Sequence, residues 1–329
     1  ANLTGANLTG ANLTGANLTG AQFINVDLSG ALLNGLQLNE TLFSPSSLRD
    51  ASLVGLDLSS LDLVTLMNSG QENWACFDAS QAIMPSVACN QSDLRGLKLE
   101  GALWDRAELN QANLSGVQWS NAKLAGAQLK GADLSGADLS GADLSGADLS
   151  GANLSGTNLS GANLDQAVLD QCILDNTNFT SASLQGVLIN DAHGEQVNMS
   201  ESKLNKAKFT RCRFPNLKLN KAEMNEAHFS LLEASHADLR LISGDYSAWR
   251  ECGLMHASMQ GAQLNHSSWI ESTLRNAVIS ESSWDEAHIS SCLMSHIVAH
   301  DVDFSKVSAW SEVNLMGAQL LNSKLDGLD

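Results

Sequence analysis

Ala132-Asp133-Leu134-Ser135-Gly136-Ala137-Asp138-Leu139-Ser140-Gly141 is one five-residue unit written twice, and the same unit opens the chain as Ala1-Asn2-Leu3-Thr4-Gly5. A period of five fits neither the 3.6 of a helix nor the simple alternation of a flat strand. Ala and Leu stand two apart, so an extended segment places both on one face and turns the residue between them to the other. Ser or Thr and then Gly follow, a pair that permits a sharp bend before the next Ala. A chain that runs straight for one short strand and bends at every fifth residue coils around its own apolar face. The expected class is all-β, a β-solenoid.

These repeats resemble those of the pentapeptide-repeat family over nearly the whole chain. The resemblance implies a right-handed quadrilateral β-helix of four pentapeptides per coil, with the central Leu or Phe and the preceding Ala inside. Side chains twenty residues apart should then stack as cross-strand neighbours do. Phe209, Phe229, Trp249 and Trp269 hold the central position at that spacing, with Ile189 and Ile289 at the two ends, and predict an internal aromatic ladder. Counting the frames gives about sixteen coils, stacked at about 4.8 Å into a rod on the order of 75 to 80 Å. With only three Pro and no linker, residues 1–329 read as a single elongated domain.

The frame slips by one residue twice, near residues 66–72 and 305–309. Reading back from Leu94 makes Cys89, Met84, Ala79 and Trp74 central. The first slip reads either as a bulge or as a projecting loop over residues 67–91, a candidate contact because loops on rigid scaffolds carry function. The chain opens on four identical repeats with no initiating Met and no cap. It reads as a fragment of a longer protein with another domain before it, and uncapped coils leave open end-to-end self-association.

Hydrophobic residues make up 43% of the chain and charged residues 16%, with a formal charge of −18. No run of about eighteen apolar residues predicts a membrane span, and no charged, apolar leader begins the chain. Cys172, Cys212, Cys252 and Cys292 recur every forty residues at the inward position, where buried thiols act as small hydrophobes and point to a reducing compartment. A cytoplasmic location follows, with export by a secretion system left open. His236, His256 and His296 share one outward column, which supplies too few convergent ligands for zinc.

Two charged rings are the partner-binding candidates. Lys203, Lys208, Arg213 and Lys218 place one cation on each face of a coil, with Glu223, His228, Glu233 and Asp238 one coil later. The belt reads as inter-coil ion pairs or as a docking surface for an acidic partner. Asp133, Asp138, Asp143 and Asp148 ring another coil.

Ser, Asp and His are abundant because the repeat demands small polar surface residues, so their co-occurrence signals no triad. No phosphate loop, dinucleotide fingerprint or metalloprotease motif occurs, and no enzyme activity, cofactor, metal or direct nucleic-acid binding is expected. The central positions of Gly194, Gly244, Ala234 and Ala299 could leave voids, with Phe214 and Trp284 as nearby filling. Two non-catalytic roles remain. One is a protein–protein interaction scaffold or rigid spacer, with identical repeats as spacer and the varied coils after about residue 165 as the specific half. That texture resembles the C-terminal pentapeptide segments of bacterial secretion-system adaptors and effectors. The other resembles the DNA-mimicking pentapeptide-repeat proteins that inhibit or protect DNA gyrase, on the strength of the aspartate ring and the negative charge.

Overall fold

The computed structural model describes residues 1–34, 36, 42–43 and 79–325. It divides into two compact units, Ala1–Ala162 and Asn163–Asp329. Among the described residues there is no helix, and every strand pairing is parallel.

In the first unit, β1 (Gln22–Phe23) pairs with β2 (Leu42–Phe43), and the remaining pairings are single bridges at twenty-residue offsets such as Asn113↔Asp133 and Asp138↔Asn158. One pentapeptide shows the mechanism. Ala132 and Leu134 are buried, each buried Leu contributing roughly 1.5–3 kcal/mol. Asp133 N–H donates to Ala112 C=O at 2.9 Å, and Leu134 N–H donates to Asn153 C=O at 2.8 Å, so the strand is held on both sides. Ala137 N–H then closes a turn on Leu134 C=O at 3.0 Å. Gly136, third of the four turn residues, has φ of 65°, a sign that glycine adopts without steric penalty.

In the second unit, β3 (Leu188–Asn190), β4 (Lys208–Thr210), β5 (His228–Ser230), β6 (Ala248–Arg250), β7 (Ser268–Ile270), β8 (His288–Ser290) and β9 (Ala309–Ser311) form one seven-stranded parallel sheet in sequence order. The register is twenty residues up to β8 and twenty-one from β8 to β9, where Ile289 pairs with Trp310. The extra residue sits at Ser308: its N–H and that of Ala309 both donate to Ala287 C=O, at 2.8 and 3.4 Å, as in a bulge. Such stacking is a β-solenoid. The count of about sixteen coils included residues outside the described ones, and the described solenoid is shorter than that count.

Phe209 and Phe229 stack at 5.0 Å between ring centroids, Phe229 and Trp249 at 4.0 Å, and Trp249 and Trp269 at 4.8 Å, all buried. Such pairs contribute about 0.5–1.5 kcal/mol beyond their buried area. Each indole N–H of Trp249, Trp269 and Trp284 donates to the Ser two residues before it, at 2.9, 2.9 and 2.7 Å. In the first unit, Trp104 and Trp119 follow Ala102 and Val117 at that position instead, and among the described residues their buried N–H groups have no hydrogen-bond acceptor.

Two expectations need correction. The void anticipated at Gly194 is closed by Leu174, whose backbone carbon would lie 2.6 Å from an added Cβ; at Gly244 the neighbours are Leu264, Met224 and Ser247. Within the proposed loop region, Ala79, Ala82, Met84 and Cys89 are buried and residues 79–91 run in the coil, with Ile83 bridged to Leu103. The first slip itself, with Trp74, Cys76 and Phe77, lies outside the described residues.

Candidate functional site: the outward columns

A solenoid leaves three positions of each pentapeptide outside, so any site must be built from columns of residues twenty apart. The aspartate ring comes first. Asp133, Asp138, Asp143 and Asp148 each accept the N–H of the Ser two residues on, at 3.0 to 3.2 Å. This is the Asx turn that lets a short carboxylate stabilise its own corner. Asn153 and Asn158 donate to Asp133 and Asp138 at 3.1 Å, while Lys130 and Lys123 approach Asp148 and Asp143 at 3.0 and 3.9 Å. Burial pushes Asp148 up, but the Ser150 hydroxyl and amide and the Lys130 ammonium outweigh it and hold the carboxyl below its usual range. The ring is therefore partly neutralised and turned to structural use.

The basic belt stands in register with the next coil, whose residues are acidic at three of the four positions: Lys203 bridges Glu223, Lys208 pairs with His228, Arg213 bridges Glu233 and Lys218 bridges Asp238. Backbone register does not by itself close the ion pairs. Arg213 reaches Glu233 at 3.9 Å and Lys206 reaches Glu226 at 3.7 Å. Asp238 is held instead by Arg240 at 2.7 Å, which lowers its pKa. Among the described residues, Lys203, Lys208 and Lys218 close no ion pair.

Sequence reasoning missed a second hydrogen-bond system. Asn205, Asn225, Asp245 and Asn265 stand one residue after the central position, and each side-chain oxygen accepts the backbone N–H of the residue one coil on, at 2.9 to 3.0 Å. The signal was present as Asn or Asp replacing Ser at that position every twenty residues. His236 and His256 stack at 4.8 Å with an interplanar angle of 4°, and Asn276 Nδ2 lies 3.4 Å from His256 Nε2. Among the described residues no cluster of three or more His, Cys, Asp or Glu could hold a metal ion.

Cys89, Cys172, Cys212, Cys252 and Cys292 are buried. Burial raises the Cys212 and Cys252 thiols to about 11, and Cys212 Sγ donates to Ile189 C=O at 3.2 Å. Among the described residues no helix is long and apolar enough to cross a membrane.

Corner residues define a further feature. Lys221, Leu241, Gly261 and Glu281 follow one another in a single column and, with Asn220, Arg240 and Gln260, line a notch of about 340 Å³.

Among solved structures the chain is similar to HetL, a pentapeptide repeat protein involved in heterocyst differentiation regulation from Nostoc sp. strain PCC 7120. The identity is 25%, over 79% of this chain and 92% of that one, with a TM-score of 0.32. QnrB1, a plasmid-mediated fluoroquinolone resistance protein, is 21% identical over 64% of this chain and 91% of its own, with a TM-score of 0.38. A pentapeptide repeat protein of the Arabidopsis thaliana thylakoid lumen is 38% identical over 32% of this chain and 69% of that one, with a TM-score of 0.25. No curated protein matches. The family model for pentapeptide repeats matches in eight copies, over residues 1–35, 89–122, 112–151, 152–191, 177–216 and 195–230, so the chain belongs to the pentapeptide-repeat family.

Proposed function

We propose that the protein is a non-catalytic protein–protein interaction scaffold whose second unit carries the specific contacts, while the uniform coils of residues 132–161 act as spacer. One observation carries this reading. Among the described residues, every exposed large apolar side chain except Leu32 and Leu103 belongs to the second unit, including Leu231, Leu241, Tyr246, Met255, Leu293 and Met316. Exposed apolar groups carried by one unit and largely lacking in the other favour association through the unit that has them. A photo-crosslinking residue placed at Leu231 or Leu293 in the full chain should trap a protein partner, and the same residue at Ser140 or Ser145 should not. Equal trapping at all four positions would remove the distinction.

Mimicry of DNA at gyrase is the weaker alternative, because the aspartates it would rely on are engaged in capping their own turns. The reading predicts no inhibition of gyrase supercoiling by the purified chain. Inhibition that disappears when Asp133, Asp138, Asp143 and Asp148 become Asn would reverse the preference.

A further inference from the structure

We propose that the notch at Gly261 binds an extended segment of a partner protein bearing an acidic, an apolar and a basic side chain at alternate positions. The inference rests on the scaffold reading and assigns a chemistry to its partner.

The notch arises from side-chain size within one column. Lys221, Leu241, Gly261 and Glu281 all turn corners with φ between 59 and 67°, but only Gly261 has no side chain. Leu241 leans over the gap: a Cβ on Gly261 would lie 2.7 Å from Leu241 Cδ2. Leu241 is itself 58% exposed, so an apolar group seated beside Gly261 would cover it.

The two ends of the notch carry opposite charge. At one end, Asp238 takes Arg240 Nε and Nη2 at 2.8 and 2.7 Å, which fixes the guanidinium and leaves Nη1 for an incoming carboxylate. Among the described residues, Lys221 beside it is tied only by a 3.5 Å contact to exposed Glu201, a weak surface pair that a second carboxylate can share. At the other end, Glu281 Oε1 accepts Gln260 Nε2 at 3.1 Å. Its Oε2 is left for a cation, and Glu281 closes no ion pair among the described residues.

The spacing selects an extended chain. Three coil steps of about 4.8 Å separate Lys221 from Glu281 by about 14 Å. Residues i and i+4 of a strand lie about 13 Å apart on one face, and i+2 lies midway. Midway along this column is the gap between Leu241 and Gly261. One strand laid along the corner therefore meets cation, apolar notch and anion together, whereas a wholly acidic segment would meet Glu281 and a wholly basic one Lys221 and Arg240.

The test is fluorescence anisotropy of the full chain with a labelled nonapeptide carrying Glu, Leu and Lys at its third, fifth and seventh positions in a Ser/Gly background. Saturable binding is expected, weakened roughly tenfold or more when the same three residues are made adjacent. Glu281→Lys should cause a similar loss and transfer the preference to a peptide with Glu at both flanking positions. Leu241→Gln should weaken both peptides. Absence of saturable binding, or binding indifferent to Glu281→Lys, would overturn the proposal. If crosslinks at Leu231 and Leu293 still form in that case, the notch assignment alone fails; if they too are absent, the scaffold reading fails with it.

Discussion

Between Gly131 and Gly161 every corner is a glycine, with φ of 63 to 71°, whereas from Gln166 to Asp301 only Gly186 and Gly261 are, and the other corners carry Leu, Tyr, His, Glu, Lys, Arg and similar residues at φ of 52 to 62°. A left-handed conformation costs about 1–2 kcal/mol at a non-glycine residue. The second set of corners must be held by something the first lacks. The candidates are visible: the stacked Phe209, Phe229, Trp249 and Trp269 inside, and the Asn205, Asn225, Asp245 and Asn265 bonds from coil to coil outside. In the glycine coils the Asx oxygens of Asp133 and Asp138 accept the backbone N–H of their own turns and, from the next coil, only the side-chain amides of Asn153 and Asn158, and the core is almost wholly Ala and Leu. Locally capped glycine corners make a solenoid that presents the same chemistry everywhere. Corners with side chains are strained one by one, but each presents a distinct group to solvent, which is what recognition requires.

The comparison can be broken most forcefully at the ladder. Trp249→Ala should destabilise the protein by about 3–5 kcal/mol, measured by denaturant unfolding; a loss under 1 kcal/mol would mean the aromatic stack does not support the strained corners. Gly136→Ala comes next. A Cβ there meets nothing within 4 Å, so the expected loss of about 1–2 kcal/mol is purely conformational, and no loss would deny that glycine matters at these corners. Asn225→Ala removes the acceptor of Asp245 N–H and of the Ser243 hydroxyl and should cost about 1 kcal/mol. Ala102→Ser should act in the other direction, giving the orphaned Trp104 N–H the partner that Ser247 gives Trp249 and a gain of about 1 kcal/mol. The smallest effect is in the thiols. With Cys212 and Cys252 raised from 9.0 to about 11, both stay protonated at pH 8, and the native chain should resist alkylation there until denaturant exposes them.

The five-residue period made the coil legible in the sequence, and the twenty-residue spacing of Phe209, Phe229, Trp249 and Trp269 identified the residues that stack. The extra residue at Ser308 was legible too, because Leu315 and Leu320 leave the frame of Phe304. Corner conformation was not, since reading the bend as a property of Gly gives no account of Leu231 or Tyr246 at positive φ; stacking on neighbouring coils imposes it. Ion pairing was only half legible. Register sets Lys218 beside Asp238, but Arg240, two residues from that carboxylate, has the shorter reach and captures it. The notch was hidden for a different reason, because Lys221, Leu241, Gly261 and Glu281 form a pattern only when a column is read across coils.

The claim that the second unit carries specificity is tested most directly by the affinity of a crosslink-identified partner for two variants of the full chain. One replaces Leu231, Met255 and Leu293 by Ser, the other replaces Asp133, Asp138, Asp143 and Asp148 by Asn. The account predicts that the first loses roughly tenfold or more in affinity and the second binds as the parent does. Unchanged binding by the first, with loss in the second, would contradict it and move recognition to the aspartate ring.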